Sequence, residues 1–564
     1  MRLQSVILPE NERYTELYHR GKLTLSAGDL LSFDTYYNSF CFTKYREYTT
    51  AKDVRFDCRL TGRARVELCV FDGGEHIVCG GVFSESASLS AAFSELPEKG
   101  YLYPKITAVT EVGFLSGEYS AECCAESISC CIAICTYKRE RFVLDNTKLL
   151  REHQFSFIDR VFVIDNGNTL YADQLTDDFI KVLPNRNYGG SGGFTRGLIE
   201  AHDGGYSHVI LMDDDVQFHP QTLEQMTVFV SILASGCRNH WFSTGMLPLD
   251  CPCRQFELGA EWDGRQAIVH KHDADILDRS ALLDNLDNPQ VEYGGWWTLL
   301  MPVSAMNKGL PYPFFIKFDD VEYGMRKSPD TQIITMNGIA VRHEAFDRKK
   351  SFVLDYYNLR NELVVNATYG KYGAFGAARR FLYEAAKQLC LYRYDNMPLV
   401  LRAVNDFLAG TDFFLSCDEE SLNKELMSTA PKLLPLKDIP GWNESLRCDE
   451  HKLDKHITPA MAITLGGHLI PAFMLKNECS AVPLSRTGEA DCFRKRSVIQ
   501  YQLGGDMGTL TKRSFARFIK YSFISAGTAV KLLCRFSGTA KQFRDNSGAL
   551  RTFEFWRAHL GIEK

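Results

Sequence analysis

Three consecutive carboxylates, Asp213-Asp214-Asp215, close the apolar run Ile210-Leu211-Met212. Adjacent like charges repel, so such a cluster is costly unless a cation neutralises it. Carboxylate oxygens are hard ligands suited to Mn²⁺ or Mg²⁺, ions commonly shared with substrate phosphates. Asp213 and Asp215 fall on one side of an extended chain and can reach one ion. The plain alternative is a solvated acidic turn. A buried strand leading into the triplet favours the metal.

A second acidic pair, Asp319-Asp320, follows the aromatic run Phe314-Phe315-Ile316-Lys317-Phe318, which reads as strand-like. One carboxylate of a close pair can be tuned to take a proton from an attacking hydroxyl while the other is held by partners. Either residue would also serve as an acidic helix N-cap, and the two readings are compatible. Upstream, Asn187-Tyr188-Gly189-Gly190-Ser191-Gly192-Gly193-Phe194 reads as a glycine-dense loop opening a helix. Backbone N–H groups around Gly190 and Gly192 would there meet an anionic ligand closely. No Gly-Lys-Ser/Thr follows, so it is not a P-loop. A flexible connector is the bland reading.

Three smaller features complete the inventory. His343, in Val341-Arg342-His343, is either structural or an imidazole ligand for a Mn²⁺-type ion. Trp296-Trp297 offers flat rings that suit the apolar faces of sugars. On alternating strand faces both rings cannot bury in one core, so at least one is expected to be exposed. Cys251-Pro-Cys253 has no second Cys/His pair at zinc-site spacing, which disfavours zinc.

The elements around these residues change character along the chain. Residues 1–125 read as a β-sandwich or jelly roll, with short strands at 54–60, 65–71 and 76–83. From 126 to 365, strands at 127–135, 160–164, 179–183 and 208–212 alternate with helices at 141–152 and 197–202. That alternation predicts a mostly parallel, Rossmann-like α/β sheet with its ligand beyond the carboxyl ends of the strands. The polar clusters 136–139, 165–168, 185–193 and 213–215 fall at those ends. Residues 366–564 read as mainly helical, with helices at 356–367 and 377–392 and an irregular stretch around Pro431, Pro435 and Pro440.

The 564 residues predict about three domains. An apolar fraction of 45% and a charged fraction of 24% are those of folded protein, which excludes a disordered chain. The net charge of -6 argues against nucleic acid as a partner. Eighteen cysteines are a modest density, several lie in apolar runs, and buried thiols are the plainer reading. The first residues lack a signal-like basic head and apolar run, and no window nears the roughly 20 apolar residues of a membrane span. The expected location is the cytoplasm.

Taken together, Cys135-Thr136-Tyr137-Lys138-Arg139, Asp165-Asn166-Gly167, the 187–194 glycine run, Asp213-Asp214-Asp215, Trp296-Trp297, Asp319-Asp320 and His343 resemble the family 2 glycosyltransferases with the GT-A fold. Within that family they look like the polymerising galactofuranosyltransferases of the mycobacterial type. The resemblance implies an inverting, metal-dependent transfer from UDP-galactofuranose onto a glycan or lipid-linked acceptor. It assigns Thr136, Arg139, Asp165 and Asn187 to the nucleotide, and Gly190, Gly192 and Asp214 complete the donor side. Asp213, Asp215 and His343 would bind Mn²⁺ or Mg²⁺, Asp320 would be the general base with Asp319 beside it, and Trp296 and Trp297 would line the acceptor groove. The first loop departs from the family's usual Phe-Asn-Arg form.

Residues 494–564 carry a net charge of about +10 with apolar residues interleaved at partly helical spacing. A basic amphipathic helix reads equally as bound to anionic lipid at the inner face of a membrane or as packed on the protein with a solvated basic face. Self-association into a homo-oligomer stays open. So do two rival functions: family 2 transfer of rhamnose or an N-acetylhexosamine, and a glycan-binding protein that has lost activity.

Overall fold

The computed structural model describes residues 1–9, 13–344, 348, 350–447, 458–476, 480–485 and 488–562. Packing divides the chain into two compact units. One comprises Met1–Pro311, Asp320–Glu344 and Leu560–Lys564; the other comprises Tyr312–Asp319 and Ala345–His559.

The first unit begins with a seven-stranded antiparallel sheet. Its centre is a hairpin of Asp53–Phe71 and Glu75–Ala92, turning at Asp72-Gly73-Gly74. The expected short strands 54–60 and 65–71 are therefore one long strand, kinked between them. Gly62 sits at that kink with φ 77°, and a Cβ there would meet the Glu111 carbonyl oxygen at 2.0 Å. Before the kink the strand pairs with Val112–Ser120; after it, with Tyr101–Ala108. One face carries a ring cluster in which Phe40 stacks on Tyr45 at 4.6 Å and on Tyr119 at 4.9 Å. This sheet packs against the helix Pro220–Ser231: Tyr45 meets Phe229 edge-on at 4.9 Å, and the Tyr18 hydroxyl bonds His219 Nε2 at 2.7 Å.

The second sheet of this unit is α/β, as the alternation predicts. Strands Ile180–Pro184, Ile158–Asp165, Cys130–Thr136 and His208–Asp213 lie side by side and parallel, and Thr298–Pro302 adds antiparallel to the last. Cys130 to Ile134 are all fully buried, the near-continuous apolar run of a strand covered on both faces. The register levels the carboxyl ends: Asp213 stands opposite Cys135, and Thr136 opposite Asp165.

The glycine run is not a loop. It forms the first turns of the helix Gly189–Asp203. Each interior glycine costs a helix about 1 kcal/mol relative to alanine, so tertiary packing must override propensity. A Cβ on Gly193 would stand 2.2 Å from Cys135 Sγ, and one on Gly197 would stand 2.4 Å from Ala133 Cβ. Glycine is what lets this helix lie against the Cys130–Thr136 strand.

The second unit is mainly helical. Val353–Tyr369, Ala374–Cys390, Met397–Leu408 and the long helix Phe515–Asn546 pack together, with Phe407 stacked on Phe543 at 5.8 Å. The long helix buries Phe518, Ser525, Ala529, Leu532, Phe536 and Phe543 at helical spacing. Its other side leaves Phe523 and Val530 exposed among basic residues. The sequence reading missed a four-stranded sheet here, of Leu434–Pro435, Met507–Lys512, Ser497–Tyr501 and Ser480–Pro483. Its strands are too short and polar to stand out as a period-2 pattern. All described cysteines are free thiols. Among the described residues, no helix is long and apolar enough to cross a membrane.

Gly197→Ala is expected to destabilise the first unit by roughly 1–3 kcal/mol, the usual cost of overpacking a core, despite alanine's better helix propensity. Adding Ala133→Gly should recover most of the loss, and a double-mutant cycle in thermal denaturation measures the coupling. Additive effects would show that the two Cβ positions do not compete.

Candidate active site

Asp213 ends its strand, and Asp214 and Asp215 turn away from the sheet. The convergence expected from strand alternation is thus achieved by a turn. A two-way backbone pairing of Gln217 with Arg342 ties this turn to the strand Ala340–His343. One ligand atom each from Asp213, Asp215 and His343 then lies within 4.8 Å of the others. The His343 ring defines the chemistry. Its Nδ1 bonds the Glu344 carbonyl oxygen at 2.7 Å, and a carbonyl only accepts, so Nδ1 carries the hydrogen. In the neutral ring, Nε2 is then a lone pair facing Asp215 Oδ1 at 3.3 Å. Two acceptors face each other stably only with a cation or an added proton between them. Two carboxylates and an oriented imidazole fit Mn²⁺ or Mg²⁺, and the backbone carbonyl behind the histidine is the usual outer partner of a metal-bound ring.

Asp214 points elsewhere. Buried, it accepts from Thr136 Oγ1 at 2.7 Å and from Arg139 Nη1 at 3.2 Å, while Asn146 bonds its carbonyl. Burial raises its carboxyl above the usual range, against the pull of Arg139 and Thr136. Arg139 also meets Asp215 Oδ2 at 2.5 Å. Formally, three carboxylates and one guanidinium leave two negative charges, matching one divalent ion. Thr136, Arg139 and Asp214 therefore form one hydrogen-bonded group at the strand ends.

Asp165 is buried and accepts from the backbone N–H groups of Gly167, Thr169 and Leu170 at 2.8–2.9 Å, so its carboxylate shapes the loop beyond the strand. Asn166 links that loop to the glycine helix by donating to the Gly189 carbonyl at 2.9 Å. Asn187 Oδ1 accepts from Gly189 N–H at 3.2 Å. Gly190 and Gly192 lie in the first turn of the helix, so its early amide groups face the same end of the sheet.

The run before Asp319-Asp320 is not a strand. Phe315, Lys317 and Phe318 all have left-handed backbone, with φ of 70°, 70° and 69°. Such non-glycine residues cost on the order of 1–2 kcal/mol each. The helix Asp319–Met325 starts directly afterwards, and Asp320 Oδ1 accepts from its neighbour's N–H at 2.8 Å.

Glu257 was missed by sequence reasoning. It lies in an unremarkable stretch, 44 residues beyond Asp213, and only the fold brings it to the acidic pair. It is buried, and its Oε1 finds no hydrogen-bond partner among the described residues. Burial, with the charge of Asp320, pushes its carboxyl up to about 8. Burial and the same acidic charges lift Tyr293 as well.

The expectation of an exposed tryptophan is not met. Trp296 and Trp297 are 5% and 7% exposed. They precede the strand Thr298–Pro302 instead of alternating along it, so period-2 reasoning does not apply. Trp296 packs edge-on between Phe194 at 5.2 Å and Tyr323 at 5.9 Å, joining the glycine helix to the helix of the acidic pair. Both rings are thus largely buried. Cys251 and Cys253 bring their sulfurs to 3.4 Å, but no third ligand joins them among the described residues.

Residues 4–122 match a family model described as Galactofuranosyltransferase 2 N-terminal, and residues 131–230 match one described as Glycosyl transferase family 2. Galactofuranosyltransferase GlfT2 of Mycobacterium tuberculosis is 27% identical over 459 residues, 73% of this chain and 70% of its own length. That of Mycolicibacterium smegmatis is 27% identical over 502 residues, 81% of this chain and 76% of its own. Among solved structures, a mannosyltransferase from Pyrobaculum calidifontis in complex with GDP-Man and Mn²⁺ is 11% identical. It aligns with a TM-score of 0.31 over 54% of this chain and 82% of that one.

The raised carboxyl of Glu257 has a consequence for stability. Folding favours its neutral form, so the stability it brings is present below about pH 4.5 and is lost as the pH rises through about 8. Glu257→Gln should therefore melt like the parent at pH 5 and a few degrees above it at pH 9. Parallel melting curves across that range would refute the shift.

Proposed function

We propose that this chain is a family 2 glycosyltransferase that moves galactofuranose from UDP-galactofuranose onto a glycan or lipid-linked acceptor, with inversion and with a divalent metal. One observation carries the donor: the N-terminal match is to a domain described for galactofuranosyltransferases, whereas a family 2 domain alone is compatible with many sugars. The same reading treats residues 1–125, 126–365 and 366–564 as three functional regions.

In this proposal Asp213, Asp215 and His343 hold the Mn²⁺ or Mg²⁺, whose charge offsets that building on the departing diphosphate. Their convergence supports the assignment. Thr136, Arg139, Asp165, Asn187 and the glycine helix form the donor side, with Asp214 holding Thr136 and Arg139 in place. Asp320 removes the acceptor proton as the hydroxyl oxygen attacks the anomeric carbon from the face opposite the diphosphate. The bond to the diphosphate breaks in the same displacement and the configuration inverts. Asp319 contacts acceptor or donor beside it.

The proposal extends to location: the cytoplasm, at the inner face of a membrane. Its support is the outer side of Phe515–Asn546, where Phe523 is 75% exposed, on a helix that also carries Lys520; Lys531 and Arg535 follow along it and bond Asn405 and the Leu408 carbonyl.

Calorimetry of UDP-galactofuranose, UDP-galactopyranose and dTDP-rhamnose, with Mn²⁺ and then with chelator, tests donor and metal together. Selective, chelator-sensitive binding of UDP-galactofuranose is expected. Selective binding of another donor would replace the sugar, and no binding at all would favour a glycan-binding protein. Asp320→Asn should lower turnover by about 10²–10⁴-fold while leaving donor and metal affinity nearly unchanged. Near-normal turnover would remove Asp320 from the role of base.

A further inference from the structure

We propose that Asn361 is a positioning residue for transfer: its amide holds the loop 314–318 in the left-handed backbone that aims Asp319-Asp320. The inference rests on Asp320 being the base, and a loop-specific measurement separates the two.

The loop has an unusual composition for its shape. Phe315, Lys317 and Phe318 adopt backbone angles that favour glycine, and a chain free to choose would relax them toward extended conformations. Something must therefore hold them. Asn361, wholly buried on the helix Val353–Tyr369, directs its Nδ2 at three carbonyl oxygens of the loop: those of Lys317 at 2.8 Å, Ile316 at 3.0 Å and, more weakly, Phe314 at 3.4 Å. Carbonyl groups converging on one point repel each other unless a donor sits among them, so this amide is what makes the turn tenable.

The orientation of that amide is itself fixed. Arg360 Nε donates to Asn361 Oδ1 at 2.9 Å, and an arginine cannot accept, so the oxygen faces Arg360 and the nitrogen faces the loop. Arg360 also donates through Nη2 to the Phe314 carbonyl at 2.8 Å and through Nη1 to the Tyr356 hydroxyl at 3.1 Å. Its guanidinium lies among the rings of Tyr356, Tyr357, Phe413 and Phe414, at 5.0–5.7 Å. Phe315 stacks on Tyr357 at 5.2 Å, pinning the loop from its side chains as well. A fully buried arginine is retained only when its donors are satisfied, and here one of them is spent on the loop.

The loop's next residues are the acidic pair. A change of φ at Lys317 or Phe318 rotates everything that follows, so relaxation toward extended backbone would re-aim Asp319 and Asp320. A residue that only stabilises the fold would affect donor binding and turnover alike. A positioning residue should affect turnover selectively.

The test uses the full-length protein in two arms. Asn361→Ala should lower kcat by about 10–100-fold, with the donor KM and Mn²⁺ affinity within about twofold of the parent. Amide hydrogen exchange over residues 314–320 should quicken. The second arm leaves the buried residues intact. Lys317→Gly and Lys317→Val both remove the ammonium group, but only glycine accepts the left-handed φ. Lys317→Gly should keep several-fold more turnover than Lys317→Val, and should restore part of the kcat lost in Asn361→Ala. Equal turnover for the two Lys317 variants, or an Asn361→Ala protein with parental kcat and parental exchange, would overturn the proposal. Normal turnover in Asp320→Asn would instead overturn the base, while quickened exchange in Asn361→Ala would still support the loop clamp.

Discussion

The arrangement of this enzyme depends on one electrostatic problem: three adjacent carboxylates at the end of a fully buried strand. Repulsion within Asp213-Asp214-Asp215 would unravel the turn unless the protein divides the charge. It does so by sending Asp214 inward to Thr136, bridging Asp214 and Asp215 through Arg139, and bringing Asp213 and Asp215 beside His343. The imidazole, oriented by the Glu344 carbonyl, faces the remaining pair and completes a donor set that fits a divalent cation. A solvated acidic turn would show neither the buried middle residue nor the oriented ring.

Much of the surrounding architecture levels groups at that point. The parallel register places Thr136, Asp165 and Asp213 at one height, so loops from three strands meet there. The glycine helix reaches the same end only because Gly193 and Gly197 let it lie on Cys135 and Ala133. Trp296 then braces this helix against Tyr323. The N-terminal sheet packs on the helix Pro220–Ser231, which follows the acidic turn, and so buttresses the site from behind.

The acidic pair obeys a different constraint. Asp320 shares its surroundings with the buried Glu257, and two carboxyl groups in a poorly solvated region do not both ionise cheaply. Burial holds the Glu257 carboxyl toward its neutral form, and the charge of Asp320 adds to that effect. The strained backbone ahead of the pair belongs to the same economy, since a carboxylate in a special environment must also be held at a special angle.

The periodicities of the chain made a good part of this legible. Strand–helix alternation from residue 126 and apolar strands ending in polar clusters follow from local pattern, because burial on a sheet repeats every residue or two along the chain. Spacing left His343 open between a structural and a ligand role, and only the resemblance favoured the ligand, since it lies 128 residues beyond Asp215. What local pattern could not supply were facts about distance across the fold. The glycine run looked like a loop because propensity is local, whereas the close approach of Ala133 and Cys135 is not. Trp296 and Trp297 looked half-exposed because alternation was assumed where no strand forms. The aromatic run 314–318 looked extended because its left-handed backbone is imposed from the helix Val353–Tyr369, and Glu257 carries no motif. In each case the missing term was a contact between residues far apart in sequence, and such contacts exist only once the chain has folded.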